Sequence, residues 1–142
     1  MMVYEMTVQI RVPEFNSGKE WYVKFLEREP NFVPHEGFAE WELMPGSWLQ
    51  LAEGVPAPGS GPLRLGVLNL EAERTRLMDV LGLPFFEIEG RDEVPVRWAT
   101  FHDPWGNRLG LFEYREEADQ QEQVHAVRPA DGTSLAGSKG VC

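Results

Sequence analysis

Polar and apolar residues alternate over Thr7-Val8-Gln9-Ile10-Arg11-Val12, with Val8, Ile10 and Val12 on one side. A period of two predicts a half-buried strand. Beyond Pro13 the period changes. Trp21, Tyr22, Phe25 and Leu26 recur at helical spacing. Asn16 or Ser17 can cap that helix, with Glu20 at the capping-box distance from Ser17, and Pro30 ends it. Three further strands are expected at 32–33, 38–43 and 48–52. The turns Pro34-His35-Glu36-Gly37 and Met44-Pro45-Gly46-Ser47 separate them.

The only Pro/Gly-rich stretch in the middle of the chain, 54–62, reads as a surface linker. After it the order repeats. Residues 63–67 alternate as a strand. Asn69 can cap a helix containing Leu70, Leu77, Val80 and Leu81, and Gly82 with Pro84 stops it. Strands are expected at 85–88, 96–101 and 108–113, with turns at 89–92 and 103–107. The two copies align by a constant offset at first. Val12 matches Val67, Phe15 matches Leu70 and Leu26 matches Leu81, each 55 positions apart. Near the end of each copy the offset is 60, so that Gly46 matches Gly106 and Glu53 matches Glu113. A longer turn between the third and fourth strands of the second copy is the expected reason. The expected organisation is one domain over 1–114, made of two βαβββ units at about 5–53 and 62–114 joined by a linker at 54–61. A polar tail follows over 115–142. Its composition predicts mobility unless it packs on the body or another subunit.

The length of 142 residues suits one domain with a proper core. The lone cysteine, Cys142, excludes an internal disulfide framework. No signal peptide and no apolar membrane span is expected, and the cytoplasm is the default location. The net charge of −10 works against nucleic acid and anionic membranes as partners. No Gly-rich phosphate loop and no nucleophile elbow is present.

Two tandem βαβββ units closed by Asp103-Pro104-Trp105-Gly106-Asn107-Arg108-Leu109-Gly110-Leu111 resemble the glyoxalase/bleomycin-resistance group, the vicinal-oxygen-chelate superfamily. The opening segment Ile10-Arg11-Val12-Pro13-Glu14-Phe15, leading into Trp21-Tyr22, resembles the same family. The resemblance spans about residues 5–114. It implies an α+β fold: curved mixed sheets around a shared groove, with helices on the outside. In that fold Val8, Ile10, Val12, Leu63, Leu65 and Val67 face the helices. By alternation, Thr7, Gln9, Arg11, Trp48, Gln50, Arg64, Arg108, Gly110 and Phe112 point to the groove. Trp98 joins them if the register allows, and His102 can reach the groove end. The expected ligand-binding residues are therefore Gln9, Arg11, Trp48, Gln50, Arg64, Trp98, His102, Arg108 and Phe112. Trp21, Tyr22 and Phe25 are expected in the helix core, and Trp105 at the surface or a dimer contact. The resemblance also implies a homodimer.

The family's metal-dependent members take ligands from the first and last strands of each unit. Carried over residue by residue, those positions are Thr7, Gln50, Pro62 and Gly110. Proline and glycine offer no side-chain donor, so no metal and no other cofactor is expected. His35 and His125 lie in a turn and in the tail. Glu40 and Glu42 share a strand face and could hold a cation or act as a base, but a solvated face is the expected reading. The resulting expectation is a metal-free protein that binds a small molecule through groove aromatics. Arg11, Arg64 and Arg108 suit a carboxylate- or phosphate-bearing ligand, whereas the acidic chain suits a cation. The alternative is a lyase, isomerase or dioxygenase of the glyoxalase type, working with a metal or with an acid/base pair. A third is an accessory module that keeps the fold without a ligand.

Overall fold

The alternating segment at the start of the chain forms strand β1, Met6–Val12, in the computed structural model, which describes residues 1–127. Helix α1, Phe15–Leu26, follows at once. Its cap is Glu14, rather than the expected Asn16 or Ser17. The Glu14 carboxylate accepts from the N–H groups of Asn16 at 3.2 Å and Ser17 at 2.6 Å, so both lie inside the first turn. These bonds, above all those with Ser17, hold the Glu14 carboxyl below its ordinary pKa. The helix ends at Glu27, in the left-handed region at φ 59°, before Pro30 can act. Trp21, Tyr22 and Phe25 are buried on its inner face, as their spacing predicts. Each such side chain contributes about 1.5–3 kcal/mol by leaving water.

Strands β2 (Phe32–His35), β3 (Phe38–Met44) and β4 (Ser47–Glu53) complete a four-stranded sheet of order β1-β4-β3-β2. β1 runs parallel to β4, and the other pairs are antiparallel. Gly18 brings the helix backbone onto Val12, where a Cβ would meet the Val12 side chain at 2.4 Å. This places Val8, Ile10, Val12, Leu49 and Leu51 on the helix side of the sheet.

The second half repeats the plan with β5 (Leu63–Gly66), α2 (Leu70–Leu81), β6 (Glu89–Gly90), β7 (Val96–His102) and β8 (Arg108–Tyr114), in sheet order β5-β8-β7-β6. Here the expected helix limits are met. Asn69 accepts from Ala72 N–H at 3.0 Å, and Gly82 closes the helix at φ 65°. Leu70 and Leu77 are buried, whereas Val80 is half exposed. The chain divides into two compact units, Met1–Pro56 and Ala57–Ala126, each holding one of these sheets.

Two expectations fail in the second half. No strand forms at 85–88, and the edge pairing falls on Glu89 and Gly90, where a turn was expected. Phe86 instead packs on Phe101, with ring centroids 4.9 Å apart, and its carbonyl accepts from Arg74. The offset between the copies is also acquired earlier than the turn lengths suggested. Trp41 pairs with Leu49 as Phe101 pairs with Leu109, so the third strands are already 60 apart. The helices still align at 55. The extra residues therefore lie between α2 and β7, in the stretch that replaces the missing strand.

Beyond the second sheet, residues Glu117–Val127 form helix α3, where composition alone suggested a mobile tail. The Gln120 side chain ties it back to the Leu68 carbonyl at 3.0 Å. Cys142 lies outside the described residues. Among the described residues no helix is long and apolar enough to cross a membrane.

Candidate functional site

Both sheets turn one face to a helix and present a second face of different chemistry. In the first unit that second face carries Thr7, Gln9 and Arg11 from β1, Trp48 and Gln50 from β4, and Phe38, Glu40 and Glu42 from β3. Gln9, Gln50 and Glu40 stand in one cross-strand row. Arg11 donates to Gln9 Oε1 at 3.1 Å, Gln9 Nε2 approaches Gln50 Oε1 at 3.4 Å, and Gln50 Nε2 donates to Glu40 Oε2 at 3.1 Å. Trp48 lies one row away. It is 2% exposed, stacks on Phe32 and donates through Nε1 to Glu5.

The solvated strand face expected for Glu40 and Glu42 is not found. Glu40 is 0% and Glu42 4% exposed. Buried carboxylates need donors. Glu40 takes the Gln50 amide. Glu42 Oε2 takes Gly46 N–H at 3.2 Å, but Glu42 Oε1 has no partner among the described residues. Sequence alternation identifies the shared face but not what covers it.

In the second unit the corresponding face carries Arg64, Trp98, Thr100, His102, Arg108, Gly110, Phe112 and Tyr114. Trp98 pairs directly with Phe112, which settles the register left open for Trp98. The Phe112 ring lies over Gly66, where a Cβ would sit 2.9 Å from it. Tyr114 meets Phe112 edge-on, at 6.1 Å between centroids. Arg64, Pro95, Val96, Trp98, Phe112 and Tyr114 line an open cavity of about 490 Å³. Of the nine expected binding residues, Arg64, Trp98 and Phe112 thus meet at one cavity within this unit. His102 and Arg108 pair with each other at the far end of the β7–β8 hairpin. Arg108 reaches the carbonyls of Gly59 and Gly61, each at 3.5 Å. Tyr114 and Val96 lie on the same alternation as Phe112 and Trp98. Tyr114 was missed because the last strand was expected to stop at 113, one residue short.

The Asp103–Asn107 turn that joins these strands is a closed hydrogen-bonded loop. Asp103 Oδ1 accepts from Trp105 N–H at 3.0 Å and Asn107 N–H at 2.9 Å, and Asp103 Oδ2 accepts from Asn107 Nδ2 at 2.7 Å. Gly106 supplies the positive φ of 91°. These bonds fix the turn from which β8 starts.

The residues at the family's metal positions do not fit a metal. Gln50 Oε1 faces the Gln9 amide, and its amide nitrogen is donated to Glu40. Gly110 stands directly beside Arg64, and a Cβ there would meet the Ala99 carbonyl at 2.4 Å and Arg64 Cγ at 2.8 Å. The Arg64 stem thus fills the space a ligand side chain would need. Among the described residues, no three His, Cys, Asp or Glu side chains converge as a metal site.

Two sheets with the parallel first–fourth strand pairing, each backed by one helix, define a class. The chain has the fold of the glyoxalase/bleomycin-resistance proteins, the vicinal-oxygen-chelate superfamily. It is similar to a glyoxalase/bleomycin resistance protein from Catenulispora acidiphila, at 29% identity and a TM-score of 0.63, over 77% of this chain and 96% of that one. A fosfomycin resistance protein from Listeria monocytogenes (14% identity, TM-score 0.65, 82% of this chain and 98% of that one) has the same fold. So does a lactoylglutathione lyase from Agrobacterium tumefaciens (14%, 0.60, 76% and 91%). No family model and no curated protein matches the chain.

Proposed function

We propose that the protein binds a small molecule without a resident metal ion, as a glyoxalase/bleomycin-resistance-type binding protein. The observation that carries this reading is the fate of position 110. Where the family places a metal ligand there is glycine, sealed by Arg64 and the Ala99 carbonyl. Beside it stands a cavity with two aromatic platforms, Trp98 and Phe112. Aromatic walls with a few polar groups are the usual make-up of a small-molecule site. Metal analysis of protein purified without chelators tests the first half: less than a tenth of an equivalent of any divalent ion is expected at roughly micromolar protein, since a competent site needs several converging donors. A stoichiometric ion would overturn the reading. Trp98→Ala should weaken the binding of planar aromatic compounds, measured by calorimetry, without changing the fold.

A second reading, an acid/base enzyme, is favoured by Glu42. A buried carboxylate oxygen without a donor is the kind of group that acid/base catalysts use. Turnover of a metabolite mixture that is abolished by Glu42→Gln would support this reading. Identical metabolite profiles for wild type and variant would count against it.

A further inference from the structure

The binding reading leaves the ligand's charge open, and the three arginines of the sheet faces differ in a way that decides it. Arg11 is engaged with Gln9, and Arg108 with the carbonyls of Gly59 and Gly61. Arg64 alone lines the cavity. Its Nη2 donates to Thr100 Oγ1 at 2.8 Å, a neutral partner. No carboxylate pairs with it among the described residues, and its Nε is buried without any acceptor. That Nε is closed off over Gly110, so a ligand can meet this guanidinium only through its terminal nitrogens. A half-buried cation whose one side-chain partner among the described residues is a neutral hydroxyl is costly unless something outside the chain supplies an anion. The remaining lining of Pro95, Val96, Trp98, Phe112 and Tyr114 includes no Asp, Glu, His, Lys or Arg.

Resting on the proposed binding function, we propose that Arg64 is the anion receptor of this cavity, and that the ligand is an aromatic ring bearing a single carboxylate. The guanidinium fork matches a carboxylate in plane, and the rings of Trp98 and Phe112 take the aromatic body. A phosphate dianion would call for a second cation, and the cavity has none. The whole chain, at −10, repels anions, so selectivity for one must come from this local cation.

The test is a charge series on one ring system, read by calorimetry on the full chain: 1-naphthoate, 1-naphthalenemethanol, 1-naphthylmethylamine and 1-naphthyl phosphate. The expected result is saturable binding of 1-naphthoate, with the other three weaker by roughly ten- to hundredfold, the worth of a charge-assisted hydrogen bond. Arg64→Met should abolish the preference for naphthoate over the alcohol, and Arg64→Lys should restore part of it. Equal binding of naphthoate and the alcohol by wild type would overturn the anion receptor while leaving the binding function standing. So would an Arg64→Met protein that keeps the preference. Tighter binding of the phosphate would overturn the carboxylate. If none of the four binds, the binding function itself falls. The wild-type series decides the matter even if Arg64→Met does not fold.

Discussion

Asp103 is a carboxylate that holds its own turn together. It is 4% exposed, and both of its oxygens are occupied by groups of its own turn. Replacing it with alanine strands those donors in a buried place. Asp103→Ala is therefore expected to lower stability by about 2–4 kcal/mol, with Asp103→Asn costing less, as read from urea denaturation midpoints. Gly110 makes the opposite kind of demand: it must carry nothing. Gly110→Ala forces a methyl group against the Ala99 carbonyl, which cannot swing away as a side chain can. A loss of about 1–3 kcal/mol is expected, and trimming Arg64 to alanine in the same protein should not restore it. Recovery in the double variant would show that Arg64, and not the backbone, sets the limit.

The duplication is written into how each helix is fastened to its sheet. Glu53, on the last residue of β4, accepts the N–H of Phe15, which begins α1. Glu113, on β8, accepts the N–H of Leu70, which begins α2. Both bonds are 3.1 Å long and satisfy a helix-terminal donor that has no partner in the helix itself. The second copy adds Arg97, which clasps Glu113 and reaches Glu71 in the first turn of α2, at 2.6 and 3.0 Å. These bonds hold the Glu71 carboxyl at about 2 instead of its ordinary 4.5, and they raise the Arg97 guanidinium further. A depressed carboxyl stabilises the fold above its unfolded pKa and loses that contribution as pH falls through the folded one. The stability gap between wild type and Glu71→Gln should therefore be constant above about pH 5.5 and close progressively from about pH 4.5 towards 2. Glu71 is half exposed, so the gap itself should be small, below about 1 kcal/mol. A gap unchanged down to pH 2.5 would mean that the pair contributes nothing through its charge.

Across the whole molecule, 23 acidic residues face 13 basic ones. Self-repulsion should dominate over the few exposed pairs. Raising ionic strength from about 0.01 to 0.15 M shortens the screening length from about 30 to 8 Å. The thermal midpoint should rise with it, and a fall would mean that the ion pairs outweigh the net charge. At this scale the fold was largely legible. Alternation over 7–12, 96–101 and 108–113, and the Asn69 and Gly82 signals, placed their elements within a residue or so. What misled was local competition. Asn16 and Ser17 are good caps by type, but Glu14 reaches their N–H groups first. The apolar run 85–88 looks like a strand, but its backbone serves Arg74 and its Phe86 ring serves the core.

The sequence by itself determined the duplicated order of most elements, the alternation of faces along β1 and β8, and the lack of donors at Pro62 and Gly110. These follow from periods, from residue types and from the repeat, which are local or one-dimensional properties. Only the tertiary structure decided that Arg64 keeps a buried donor unmet among the described residues, that Glu40 and Glu42 are buried, and that Arg64 closes over Gly110. Those outcomes depend on which side chains from distant strands compete for the same space and the same acceptors, and that competition exists only once β5 lies beside β8 and β3 beside β4.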